Sequence, residues 1–440
     1  MKEIGIALLG LGNVGVGTAR ILEAHAGDIE RRLGAKVHVR HVLVRDRAKV
    51  REPPFLQDRL TTDYERILAD PQVAIVAELM GGVEEARAHL LRAIDGGRHV
   101  VTANKALLSQ HGEELFARAL QRGVDLHFEG AVCGGIPIIR TLRESLASDR
   151  IEELYGIVNG TTNLILSAMA EEGASYADAL GRAQRLGYAE ADPTLDVSGM
   201  DAAQKLCLLA QLAFSARLRP EQVAVEGITL LGPQDFAFAK EFGYAIKLLA
   251  SARRVAEGEI DVRVHPALVP ASSPLAEVRG GFNAVLLRSA ALGRSLYSGL
   301  GAGAMPTGSA VVADVIDICR NLLAGVSGRL PMLCPPHLRD VKVRSPGARV
   351  GPFYLRFTVS DEPGVLGRIA GVLGEKGISI ASVIQRGTPR EAGAEGQATV
   401  VVFTHGAREA DVLAAVAWID ALASTRSPTR LLRIEEGPIL

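Results

Sequence analysis

The stretch Ile4-Gly-Ile-Ala-Leu-Leu-Gly10-Leu-Gly12-Asn13-Val14-Gly15 decides the fold. Its aliphatic run reads as a buried strand, and three glycines at G-x-G-x-x-G spacing follow it directly and open a helical pattern. Glycine allows the tight turn and lets a pyrophosphate approach the backbone, where its charge meets a helix N-terminus. Alone, the pattern fits any glycine turn. Behind a strand and inside a βαβ unit it predicts a dinucleotide site, with Gly10, Gly12, Asn13, Val14 and Gly15 as contacts. The same start could pass for a secretory leader, but Glu3 and the glycine spacing read better as strand and turn.

The alternation continues to residue 130. Strands are expected at Ile4–Leu9, Val37–Val44, Ile75–Leu79, His99–Thr102 and Leu126–Phe128, with helices near Val14–Leu33, Tyr64–Ala69, Glu84–Asp95 and Glu113–Gln121. This predicts a Rossmann-like, doubly wound parallel sheet over residues 1–130. From 131 to 306 the texture mixes helices (Pro137–Ser145, Asp201–Phe214) with strands (Leu154–Val158, Asp261–Val264), which reads as a second domain of the α+β class. A helix at 307–323 is expected to pack back onto the first domain. Residues 328–350 hold four prolines and scattered basic residues and read as a linker. Over 351–434 the order β-α-β-β-α-β returns, the small ferredoxin-like unit, expected to be self-contained.

At 440 residues the chain has room for two to four domains, and 48% apolar against 22% charged residues is the mix of a globular protein. Lys plus Arg number 49 and Asp plus Glu 50, so nothing in the charge predicts nucleic acid or an anionic membrane as partner. No apolar run approaches the ~18 residues of a membrane span. Four scattered cysteines without a CxxC pair indicate neither a disulfide framework nor a zinc site. A cytoplasmic enzyme is the expectation.

Three further segments carry chemistry. Val44-Arg45-Asp46 ends the second strand: an acid there would accept the ribose hydroxyls of NAD, whereas Arg45, with Arg47 and Lys49 behind it, would hold the 2′-phosphate of NADP. The basic residues favour NADP, with NAD left open. Thr102-Ala-Asn104-Lys105 follows a strand at the carboxyl edge of the sheet, where open α/β folds bind ligands, which makes Thr102 and Lys105 candidates. Glu190, Asp192, Asp196 and Asp201 crowd the approach to a helix that is almost wholly apolar after Lys205. Such a helix should be buried. Asp201 and Lys205 lie one turn apart at its start, and a desolvated lysine beside an orienting carboxylate can trade a proton. A surface ion pair is the plainer alternative.

The run Ala183-x3-Gly187-Tyr-Ala-x2-Asp192-Pro193-x2-Asp196-Val-x-Gly199-x-Asp201-x3-Lys205 resembles the signature of homoserine dehydrogenases, with every motif position filled. The resemblance spans the chain: it includes Phe128–Leu146, Asn159-Gly-Thr-Thr-Asn163 and Leu300-Gly-Ala-Gly303-Ala-Met-Pro-Thr-Gly-Ser-Ala310. Asp361-Glu-Pro-Gly364-Val-Leu366 is similar to the ACT regulatory domains of longer members. The resemblance implies interconversion of aspartate 4-semialdehyde and homoserine with NAD(P)(H). It implies Lys205 as general acid, Lys105 assisting, and Glu190, Asp196 and Asp201 around the substrate. It places Gly187 and Gly303 near the cofactor, and Glu129, Val132, Gly134 and Ile136 as main-chain ligands of Na+ or K+, a hard cation suited to oxygen. It also implies that residues 131–306 form the α+β substrate-binding and dimerisation domain, that the protein is a homodimer or homotetramer, and that threonine is the effector of the tail.

Two other functions fit parts of the chain. Cys133, in a glycine-rich turn after a strand, would be the nucleophile of an acylating aldehyde dehydrogenase. Alternatively, the chain would be a non-catalytic amino-acid sensor, which requires both lysines and the acid-rich run to be structural.

Overall fold

The computed structural model describes residues 2–49, 53–330, 333–334, 337–387 and 396–436. Expectations for 331–332 and 335–336 in the linker, and for 388–395 in the tail, lie outside the described residues. The chain forms two compact units. The first comprises Met1–Gly160, Met200–Val223 and Gly281–Val341, and the second Thr161–Gly199, Ala224–Gly280 and Lys342–Leu440.

The first unit is built on six parallel strands: β1 (Lys2–Leu9), β2 (Ala35–Leu43), β3 (Leu60–Thr61), β4 (Val73–Glu78), β5 (His99–Thr102) and β6 (Leu126–His127), in the order β3-β2-β1-β4-β5-β6. In β1 both the even set, Ile4, Ile6 and Leu8, and the odd pair, Ala7 and Leu9, are buried. A strand covered on both faces reads as one continuous apolar run, as this one does. The order reverses between β1 and β4, which opens a crevice at the carboxyl ends. Strand β3, only two residues long, left no periodicity to read. The helix expected at Val14–Leu33 is two helices, Asn13–Ala24 and Ala26–Leu33, meeting at His25. The helix expected from Glu113 starts at Lys105, because the Asn104 side chain caps it by accepting the Leu107 N–H at 3.1 Å.

Helix Ala304–Ala324 does pack back, onto helix Asn13–Ala24. Two glycines permit the approach: a Cβ at Gly17 would stand 1.9 Å from the Ala304 carbonyl oxygen, and one at Gly308 2.7 Å from Gly17. Val311, Val315 and Ile318 of that helix join the core of the parallel sheet. The same unit holds helix Met200–Phe214 and the antiparallel strands Ile151–Ile157, Phe282–Ser289 and Gly293–Leu300.

In the second unit, strands Tyr244–Ala256 and Glu259–Pro270 form a long hairpin. Strand Thr425–Ile434 then pairs parallel to Glu259–Pro270 and antiparallel to Phe353–Ser360, which continues to Gln397–Thr404 and Ile380–Gly387. Helices Val365–Glu375 and Glu409–Asp420 cover one face over Phe353, Leu355, Phe357, Ile369 and Val412. The ferredoxin-like order is therefore present in the tail. The tail is not a unit of its own, however; it shares one with residues 161–199 and 224–280.

The reason lies on strand Glu259–Pro270. Asp261, Arg263 and His265 alternate onto one face and are all buried. Arg263 donates to Asp261 (2.8 Å) and to Glu409 (2.9 Å), His265 pairs with Glu435 (3.3 Å), and Arg349 donates to Glu435 at 2.6 Å. Glu409 belongs to the tail, and Arg349 and Glu435 flank it on either side. Burial drives the His265 imidazole down to about 3, so it is neutral at physiological pH.

Candidate active site

Three elements of the first unit converge on one carboxylate. Strand β5 delivers Thr102, whose hydroxyl donates to Glu78 Oε2 at 2.6 Å and accepts the Asn104 N–H at 3.0 Å. Glu78 also accepts the Met80 and Gly81 N–H groups, and burial pushes its carboxyl up. With Asn104 thus fixed as a cap, Lys105 is the first residue of its helix, its ammonium 3.1 Å from Asp201 Oδ1. Helix Met200–Phe214 delivers Asp201 and Lys205 on one face, as the i,i+4 spacing predicts. The Lys205 ammonium donates to Asp201 Oδ2 and to the Val158 carbonyl, both at 2.7 Å. From the end of strand Ile151–Ile157 comes Asn159, whose amide donates to Asp201 Oδ2 at 2.8 Å.

Asp201 therefore bridges two lysines, which differ in exposure: the Lys105 side chain is 34% exposed and that of Lys205 12%. Burial alone would push the Asp201 carboxyl up. The two ammonium groups and the hydrogen bonds from Lys205 and Asn159 outweigh it and hold the carboxyl well below the usual range. The sequence singled out both lysines and Asp201 but not Asn159 or Glu78. Asn159 stood inside a recognised motif without a role, and a polar residue ending a buried strand was the signal available. Nothing in the sequence marked Glu78.

The dinucleotide crevice is a cavity of about 370 Å³ lined by Gly10, Gly12, Val44, Arg45, Tyr64, Glu85 and His89 among others. Gly10 has φ +100°, and a Cβ there would meet the Leu79 carbonyl oxygen at 2.7 Å. At Gly12, where helix Asn13–Ala24 begins, a Cβ would meet nothing within 4 Å. The chain thus leaves space at a helix N-terminus, which is what a pyrophosphate needs. Arg45 stands 3.8 Å from Glu85 across the same cavity, both side chains exposed. Gly303, at φ +128°, begins helix Ala304–Ala324.

Gly187, Glu190 and Asp196 belong to the second unit. Gly187 turns the chain at φ +76° after helix Tyr176–Arg185, Glu190 is exposed, and Asp196 is half-buried in the short helix Thr194–Val197. The loop Glu129–Ile136 lies in the first unit. Glu129, Val132, Gly134 and Ile136 are buried, and Cys133 and Gly134 take positive φ. The Glu129 carboxylate accepts the Ile139 and Arg140 N–H groups, and burial, then Asp314, raise its carboxyl to about 7. Among the described residues no cluster of three His, Cys, Asp or Glu side chains could hold a metal.

Cys133 is buried and its thiol is pushed up to about 11 by burial. An acylating nucleophile needs an accessible, low-pKa thiolate. The cysteine reading of the site is therefore not supported. Among the described residues no helix is long and apolar enough to cross a membrane.

Comparison with known proteins matches residues 10–129 to the homoserine dehydrogenase NAD-binding domain, 137–316 to homoserine dehydrogenase and 353–417 to the ACT domain. Homoserine dehydrogenase of Neisseria gonorrhoeae is 42% identical over 99% of both chains. A crystal structure of the enzyme from Thiobacillus denitrificans superimposes with a TM-score of 0.90 at 43% identity, covering 99% of each chain. A hyperthermophilic archaeal homoserine dehydrogenase in complex with NADPH matches 72% of this chain and 97% of its own, with a TM-score of 0.61 at 26% identity. The glycine cradle, the lysine-flanked carboxylate and the full-length likeness agree, and the chain belongs to the homoserine dehydrogenase family.

Proposed function

We propose that the chain reduces L-aspartate 4-semialdehyde to L-homoserine with NADPH in preference to NADH, in the cytoplasm, on the route to threonine, methionine and isoleucine. The observation that carries the proposal is Asp201 between Lys105 and Lys205. A bound nicotinamide supplies the hydride. Lys205 donates a proton to the carbonyl oxygen as the carbon is reduced, which keeps an alkoxide from accumulating. Lys105, on the open side of Asp201, places a second positive charge near that oxygen and near the nicotinamide. Asp201 orients both ammonium groups. Glu190 takes the substrate ammonium, with Asp196 beside it. Thr102, Gly187 and Gly303 face the cofactor, and Arg45 takes its 2′-phosphate.

The buried main chain at Glu129, Val132, Gly134 and Ile136 would hold Na+ or K+, whose preference for oxygen suits carbonyls. Strand Gly293–Leu300 alternates exposed residues, Leu296 and Leu300 among them, and Phe282 beside it is exposed too, which supports pairing of copies into a homodimer or homotetramer. In the tail, Gly364 at φ +87° starts helix Val365–Glu375 and leaves N–H groups for a carboxylate; threonine is the proposed feedback effector.

Oxidation of NADPH on adding aspartate 4-semialdehyde, without CoA or phosphate, tests the reaction. Turnover is expected. Reduction of NADP+ by the aldehyde that depends on CoA or phosphate would instead favour acyl transfer, and no turnover in either direction would favour a sensor.

A further inference from the structure

In the second unit the substrate turn and the tail meet through three residues, Glu226-Gly227-Ile228. The Arg433 guanidinium, on the last strand of the tail, donates to Glu226 Oε2 at 2.6 Å and to Glu409 Oε1 at 2.9 and 2.5 Å. Its side chain is 11% exposed and that of Glu409 1%, so the two tail groups form a fixed base. Glu226 itself is held by its N–H, which donates to the Val264 carbonyl at 2.8 Å.

One residue on, Gly227 lies flush against the segment that carries the acids. A Cβ there would fall 2.3 Å from the Val197 carbonyl oxygen and 2.8 Å from Ser198 Cα, so no side chain fits between them. The Ile228 N–H donates to that same Val197 carbonyl at 2.9 Å. Gly199, at φ +88°, closes the turn against Val225 and Val264, where a Cβ would stand at 3.0 and 3.2 Å. Val197, Ser198 and Gly199 directly follow Asp196. A shift of Glu226 has backbone, not flexible side chain, to push on.

We infer that Arg433 and Glu226 are positioning residues for the substrate turn, so that a charge from the regulatory tail sets where Asp196 and its neighbours stand. The inference rests on the reading of residues 187–199 as the substrate segment. It adds that the tail contributes to substrate affinity even with no effector present. Packed elements with ionic links transmit small displacements in this way.

The full-length chain carries the test. Arg433→Met keeps the apolar stem and removes the charge. It should raise KM for aspartate 4-semialdehyde about three- to tenfold while KM for NADPH and kcat stay within about twofold. Arg433→Lys should restore part of the loss. Glu226→Gln, which removes the charge from the more exposed partner, should reproduce the split and decides the matter if Arg433→Met does not fold. An unchanged substrate KM in both variants overturns the inference, and so does a parallel change in both KM values and kcat. Glu190→Gln judges the substrate reading separately. If it leaves the substrate KM alone, that reading falls. If it raises KM and the Arg433 and Glu226 variants do not, only the present inference falls.

Discussion

Removing the Lys205 ammonium takes away the proposed proton donor and leaves the cofactor cradle, built from other residues, intact. Lys205→Ala should therefore lower kcat by ~10²–10⁴ with little change in NADPH affinity. A variant within about threefold of the parent would remove Lys205 from the mechanism. Arg45 is a different case, because it lines the cavity beside Glu85 and its charge is not buried. Arg45→Asp should weaken NADPH by on the order of 2–3 kcal/mol more than NADH, since a 2′-phosphate would lose a cation and meet an anion. Equal losses for both cofactors would show that Arg45 does not read the phosphate. At this scale the sequence was informative about candidates and silent about their convergence. Helical spacing put Asp201 beside Lys205, but Lys105 and Asn159 reach the same carboxylate from other elements, and only the folded sheet supplies that distance.

Among the elements, the long apolar strands were readable because burial on both faces leaves continuous runs, and helix Lys105–Arg122 was cut short because its cap, Asn104, sits in a segment read for chemistry. Strand Tyr244–Ala256 was missed although it is thirteen residues long. Its pattern is interrupted by Lys247, a buried lysine whose ammonium donates to the Val278 carbonyl at 2.6 Å. Asn163 donates to the same carbonyl, so strand and helix pin one turn together. Burial, then Arg279, lowers the Lys247 ammonium to about 8 from its ordinary 10.5. Between those values the unfolded chain binds the extra proton, so stability rises with pH; below about 8 the cost of the buried charge is fully present. Lys247→Met should flatten this slope, the difference amounting to on the order of 3 kcal/mol at most. Urea titrations at pH 7 and pH 10 compare the two proteins. Identical slopes would mean that Lys247 keeps its ordinary proton affinity.

For the whole molecule, the order of elements in the tail was legible and its independence was not. Asp261-Val-Arg263-Val-His265 alternates like a half-exposed strand, and only the partners contributed by Arg349, Glu409 and Glu435 show that its polar face is inside. A chain ending near Val341 would strip this face of Arg349, Glu409 and Glu435 and of the strand Thr425–Ile434 beside it. Such a chain should melt well below the parent in calorimetry, and whatever activity remains should be insensitive to threonine. An unchanged melting temperature would contradict the role given to this cluster. Inhibition by threonine as strong as in the full chain would place the effector site outside the tail.

The same cluster imposes an order of events on synthesis. Arg263 waits 146 residues for Glu409, and His265 waits 170 for Glu435. Until those residues are made, strand Glu259–Pro270 lacks the partners Glu409 and Glu435 and the pairing of Ala267 and Leu268 with strand Thr425–Ile434, although Ala224–Val225 already pairs with Arg263 and Val264. Contacts so distant in sequence form slowly, and an unpaired strand edge exposed meanwhile invites association with other chains. The parallel sheet of residues 1–130 is made from neighbours and waits for helix Ala304–Ala324 to complete its core, whereas the second unit waits for partners from still further along the chain.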